Sequence, residues 1–351
     1  MKIQINIVFI LIFLALHLKA LCQNDTYSLL TERYVDRPVT MHRGQLQINS
    51  GYEFSSLNKI YDFEGNSLDL NDEGIASEQH LFPIAVKYGI LEWFQIGASM
   101  NYARKGLRTQ NFIYISNAGI ISHSEIENWK GFDDLYLGID FTAPFLTDFM
   151  NWVVSGGIQL PVFNHEPDQP THTIDFFNYY SDSTVIRYYY NNKFGNGIPM
   201  VKIGTSLKIR FSKLALESSF DMKKGLSQGE SIYWQSRYSN GVIDYREIPY
   251  QYDPGLTFDY QAAIAYQALD WLAVMFSYDG MYASGGWTTE SGKKVGTGKI
   301  SINSLGVGYE IQISPHLRLN QFIDVPFAGT NIMAYWIFQT GISMNFMTTG
   351  K

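Results

Sequence analysis

The sequence predicts an all-β fold: one membrane-spanning, antiparallel up-and-down β-barrel of about twelve strands, with long extracellular β-hairpin loops. Three observations carry this. Apolar and polar residues alternate strictly over many segments, and the polar face is rich in Gly, Ser and Gln. Tyr, Phe and Trp gather near the ends of those segments, as membrane-interface girdles require. The connections are long and short in turn.

The elements follow in order. "GQLQINSGYEF" sets Leu46, Ile48, Tyr52 and Phe54 on one face, with Gln45, Gln47, Asn49, Gly51 and Glu53 on the other. It predicts a strand over 44–56, and a second follows over 77–89. The third, 93–104, sets Phe94, Ile96, Ala98, Met100 and Tyr102 against Gln95, Gly97, Ser99 and Asn101. The fourth, 132–143, sets Leu135, Leu137, Ile139 and Phe141 against Asp134, Tyr136, Gly138 and Asp140. After the fifth, 150–162, "VKIGTSLKIRF" gives the sixth, 198–211, with Lys202, Gly204, Ser206, Lys208 and Arg210 on the polar face. Six more read over 214–223, 256–267, 271–282, 300–313, 317–326 and 335–346. The last ends on Ile342, Met344 and Phe346, an aromatic terminus suited to recognition by the barrel-assembly machinery.

The turns after even-numbered strands are tight: "GIL", "PFLTDF", "SK", "ALD" and "SPH". The other links are long: 57–76, 105–131, 163–197, 224–255 and 283–299, with a shorter last one at 327–334. Short periplasmic turns alternating with long outer loops mark a Gram-negative outer-membrane barrel. Polar tips between β-prone runs, such as "WQSRYSNGVIDY" with Asn240-Gly241, predict that strands continue above the membrane as hairpins.

One piece recurs: "YGILEWFQIG" from Tyr88 and "YQALDWLAVM" from Tyr266. Both read as periplasmic hairpin ends. Tyr88 and Tyr266 face lipid at the interface, Glu92 and Asp270 sit in the wet turn, and Trp93 and Trp271 re-enter the interface. Phe346 joins them as an interface aromatic.

The first 22 residues read as a signal peptide. Lys2 precedes the apolar run Ile7–Leu16, which is too short to span a bilayer. Ala20 and Cys22 can serve as the small residues before a cut. The rival is a lipoprotein with Cys22 acylated, which normally wants a small residue where Leu21 stands. Loss of Lys2 and Lys19 takes the formal charge from −7 to −9, which argues against a nucleic-acid partner. The organisation expected is 1–22 signal peptide, 23–43 periplasmic lead-in, 44–346 barrel and 347–351 periplasmic tail.

The chemistry-bearing candidates are inward charges. A two-residue turn at Ser212-Lys213 would place Lys208 opposite Glu217 inside the barrel, with Arg210 diagonal. Further lumen-lining candidates are Glu53, Asp134, Asp140, Lys202, Asp221, Asp259, Asp279, Glu310, Arg318 and Asp324. Two readings stand: a salt-bridged network that plugs a narrow lumen, or a selectivity surface. The inward glycines, among them Gly51, Gly97, Gly138, Gly157, Gly204, Gly306, Gly308 and Gly341, are read as creating space. The aromatic run Ile174–Asn192 reads either as a greasy site for an apolar ligand or as hairpin packing.

Catalysis is not expected, nor a metal or cofactor. The seven histidines show no metal spacing. "HSEIEN" (His123–Asn128) invites comparison with twelve-stranded outer-membrane phospholipases, which use His, Ser and Asn. Here His123 and Ser124 adjoin, and neighbours on a strand point to opposite faces.

"DRPVTMHRGQLQINSGYEF", "YGILEWFQIGASMNY" and "GFDDLYLGIDF" together resemble an outer-membrane transporter family labelled "meta-pathway of phenol degradation". The matching features are Asp36-Arg37-Pro38, Gly44 and Gly131-Phe132-Asp133-Asp134, and the resemblance spans about 36–346. It implies a barrel that passes small, including aromatic, compounds, and it offers no catalytic residues. The function expected is an outer-membrane channel or facilitator for small solutes. Its partners are membrane lipid, the assembly machinery and the solute. The alternative is a structural or adhesion barrel with a closed lumen.

Overall fold

The computed structural model describes residues 32–69, 75–116, 119–143, 149–161, 174–176, 186–189, 197–239, 242–290, 293–296 and 298–348. The signal peptide, the Asn240-Gly241 tip and the last three residues lie outside them.

Twelve antiparallel strands close into a barrel. They are β1 (Gln45–Tyr61), β2 (Ile75–Leu91), β3 (Phe94–Ser116), β4 (Leu135–Thr142), β5 (Met150–Leu160), β6 (Met200–Phe211), β7 (Leu214–Gly225), β8 (Leu256–Leu269), β9 (Leu272–Ala283), β10 (Ile300–Ser314), β11 (Leu317–Thr330) and β12 (Ile332–Met347). Closure is made by β1, which pairs β2 on one side (Leu46↔Tyr88) and β12 on the other (Leu46↔Phe346). No sheet edge is left along the membrane zone, which hydrocarbon demands of a backbone it cannot hydrogen-bond.

Alternation fixes the faces. On β4, Leu137 (40% exposed), Ile139 and Phe141 point out, while Gly138 and Asp140 point in. Trp152, Ile203, Leu216, Phe276, Leu305 and Ile323 continue the outer apolar band on other strands. A soluble monomer rarely exposes an apolar patch beyond a few hundred Å², so this continuous band requires lipid.

At one end the strands join through tight turns, such as Ser212-Lys213, where Ser212 takes a φ of 53°. At the other end several run on past the barrel. β3 extends to Ser116 and pairs with Gly119–Phe132. A separate six-stranded sheet forms around the hairpin Gly229–Ser239/Val242–Asp253, where Ser239 pairs with Val242.

Among the described residues, a buried apolar cluster lies inside the barrel at its tight-turn end. Val35, 0% exposed, packs on Ala215, Ala265 and Met275, with Tyr34 and Phe322 against the cluster. The segment expected as a lead-in thus continues into the lumen.

Candidate functional site: a plugged lumen

Residues 33–42 thread across the barrel interior and touch strands on every side of it. Two buried glutamines hold the backbone. Val35 N–H donates to Gln267 Oε1 (3.3 Å), and Met41 N–H donates to Gln95 Oε1 (2.6 Å). Gln95 is anchored in turn by donating to Asp140 Oδ2 at 2.5 Å. Thr40 and Thr142 share a hydroxyl hydrogen bond of 2.8 Å. The Gln-rich inner face therefore has a specific use: Gln both donates and accepts, so one side chain can grip a plug amide and a wall carboxylate together.

Charges complete the plug. Lys208 lies opposite Glu217, as the two-residue turn requires, with Nζ 3.1 Å from Oε1. Lys208 also donates to the Tyr34 carbonyl (2.7 Å), and the Tyr34 hydroxyl donates to Glu217 Oε2 (2.9 Å). The Tyr34 ring carries Lys208 Nζ 4.4 Å and the Arg37 guanidinium 5.0 Å from its centroid. Burial first, and the Glu217 carboxylate second, push the Tyr34 phenol well above its ordinary pKa, so it remains a donor. Arg210 donates to the Asp36 carbonyl at 2.5 Å, and Arg37 is ion-paired with Glu310. Arg318, 3% exposed, lines the same cavity of about 220 Å³ as Tyr34, Arg37, Lys208 and Glu217.

His42 closes the turn end. Its ring lies between Glu32 (3.2 Å) and Glu92 (3.4 Å). Glu32 chiefly, then Glu92, raise its pKa against the opposing effect of burial.

Beyond the plug the other predicted charges line the wall, some in ion pairs and others held by neutral donors. Lys202 bridges Asp221 (2.8 Å) and Lys223 bridges Asp259 (2.5 Å). Asp279 accepts from Gln261 and Ser277, both at 2.6 Å. Glu53 accepts from Gln339 (3.1 Å) and Asp134 from Gln159 (2.9 Å). Asp324 lies against Gly306. A second cavity, of about 360 Å³, is lined by Ser219, Asp259, Gln261, Asp279, Met281, Ile302 and Ser304.

Two expectations need revision. The inward glycines mostly seat a neighbour instead of leaving space. The Tyr136 ring lies over Gly138 and Gly157, Asp221 over Gly204, Phe322 over Gly308 and Asn320 over Gly341. Phe346 is only 5% exposed, and the His316 ring stacks on it at 6.1 Å between ring centroids. Trp93, Tyr266 and Trp271 are exposed on the outside, and the Tyr88 hydroxyl is 3.4 Å from Thr348 Oγ1.

His123 and Ser124 fall on the strand Gly119–Phe132, with side chains outside the described residues. The same holds for the aromatic run 174–192. Sequence reasoning missed Tyr34, Thr40, Met41 and His42. The available signal was Asp36-Arg37-Pro38, a charged motif ahead of the first strand.

No family model matches the chain, and no curated protein does. Solved structures do. The COG4313 outer membrane channel from Pseudomonas putida F1 aligns at a TM-score of 0.59 and 10% identity, covering 88% of this chain and 97% of that one. The P. putida toluene transporter TodX aligns at 0.51 and 11% identity, covering 87% and 91%. A TodX deltaS2S3 mutant, described as a monoaromatic hydrocarbon channel, aligns at 0.54 and 9% identity, covering 88% and 91%. The shared feature is the outer-membrane barrel fold.

Proposed function

We propose that this chain is an outer-membrane channel or facilitator for small solutes, apolar and aromatic ones among them, held shut at its tight-turn end by residues 33–42. The observation that carries this is the way the plug is attached. A barrel built only for strength would fill its lumen with wall side chains. Here the Tyr34, Arg37, Thr40 and Met41 contacts are polar and made by one short segment tethered at Gly44, so it can leave as a unit. The cavity of about 360 Å³ beyond it offers a volume suited to a small ring, with Met281 and Ile302 for apolar contact and Gln261, Ser219 and Ser304 for polar groups. Twelve strands suit a narrow path, between the filled eight-stranded barrel and the open sixteen-stranded pore. The aromatic-compound channels among the structural neighbours, and the sequence resemblance, support the same substrate class.

The second reading, a closed adhesion barrel, is favoured by the six-stranded sheet beyond the membrane zone. Conductance and liposome-swelling assays separate the two. Lys208→Ala/Glu217→Ala removes the contacts to Tyr34 and should raise conductance and the uptake of small phenols. If wild type and variant are both silent and impermeable to phenols and fatty acids, the channel reading fails.

A further inference from the structure

The outer wall carries a cationic pair with no role in the lumen. Arg104 on β3 and Lys130 on the strand Gly119–Phe132 are directly opposed Cα partners. Two residues nearer the tight-turn end of the barrel, Tyr102 and Phe132 are opposed in the same way and pack edge to face at 5.2 Å. Phe132 is exposed on the lipid side, and a step of two residues keeps the same face, so Arg104 and Lys130 also point outward. Tyr52, Phe82, Tyr102 and Phe132 form a continuous aromatic belt just below them. On β2, His80 lies opposite Arg104, its Nδ1 2.8 Å from the Tyr52 hydroxyl.

Like charges directly opposed on a ladder repel. Both side chains are exposed, and among the described residues neither is in an ion pair. The nearest outward carboxylate by register is Glu78, which is paired with Gly106 and so sits diagonal to Arg104. The pair stands on a chain of net charge −7, so it is not a sample of a generally basic surface.

We propose that Arg104 and Lys130 bind a phosphate of a phosphorylated glycolipid in the outer leaflet of the surrounding membrane. The position fits, because the aromatic belt marks where hydrocarbon gives way to headgroups. The chemistry fits too. A guanidinium grips a phosphate with two parallel N–H donors, and an ammonium adds a point charge from the other side. The bound anion converts the repulsion into two charge-assisted contacts. The choice of an outer-leaflet lipid rests on the reading that the long hairpins face outward.

The test uses the full chain in detergent, wild type and Arg104→Gln/Lys130→Gln. Both are titrated by native mass spectrometry with bisphosphorylated lipid A, dephosphorylated lipid A, phosphatidylglycerol and inorganic phosphate. Wild type should bind bisphosphorylated lipid A at least tenfold more tightly than the dephosphorylated form, and the variant should lose that preference. Unboiled gel mobility and conductance should not change, since neither residue touches the lumen, and the channel reading therefore stands or falls separately. Equal retention by the variant overturns the proposal, as does equal binding of dephosphorylated lipid A. Displacement by millimolar inorganic phosphate would reduce the pair to a free-anion site and also overturn it. Phosphatidylglycerol binding as tightly as lipid A would refute the glycolipid and, with it, the outward placement of the hairpins.

Discussion

Removing Arg37 should unseat the plug while leaving the barrel intact. Arg37 and Glu310 are ion-paired with side chains only 16% and 11% exposed. Truncating one partner of a buried pair strands the other charge, at a cost of about 3–5 kcal/mol. Arg318 sits diagonal to Glu310, since Gln312 pairs with Arg318 and Glu310 with Asn320, and it offsets part of that cost. The lower end, about 3 kcal/mol, is therefore the expected value, and it corresponds to an open population roughly 100-fold larger. Thiol labelling reads this directly. Ala215 is 0% exposed beneath Val35, so the thiol of an Ala215→Cys variant is shielded whenever the plug is seated. In a Cys22→Ser background, Arg37→Ala should raise the labelling rate of that thiol by about two orders of magnitude, because fast local opening makes the rate follow the open population. Adding Glu310→Ala removes the stranded carboxylate and should bring the rate partly back. A rate within twofold of the parent for Arg37→Ala would show that this ion pair does not hold the plug.

Two further predictions use the same framework. His42 has a pKa raised in the folded state, chiefly by Glu32 and then by Glu92, so its anchoring is fully present below about pH 6.5 and fades as pH rises through the raised value. Labelling of the introduced thiol in the Ala215→Cys protein should climb across that window, and His42→Gln should flatten the profile; an unchanged profile in the variant refutes the role of His42. Gly138→Ala would set a Cβ 2.6 Å from the Tyr136 ring and should cost about 1–3 kcal/mol in urea unfolding from bilayers, whereas Gly97→Ala, whose nearest atoms are 3.4 Å away, should be neutral within about 0.5 kcal/mol. Equal costs at the two sites would show that Tyr136 moves aside freely.

The barrel was legible in the sequence because a membrane writes strand facing into the chain. Lipid demands apolar residues at every second position, and the interior takes the rest, so period two reports both the strands and their orientation. Even a side-chain pair was readable where the geometry was local. Lys208 meets Glu217 because Ser212-Lys213 is a two-residue turn, and such a turn fixes the register of both strands. The plug was not readable. Residues 33–42 have no period, and their partners lie far along the chain: 183 positions separate Tyr34 from Glu217, and 273 separate Arg37 from Glu310. No local rule links such residues; only closure of the barrel brings the two walls within reach of one segment. The same reason explains the glycines. Sequence shows that Gly138 and Gly157 lack side chains, but only the shape of the closed barrel shows the Tyr136 ring lying over both.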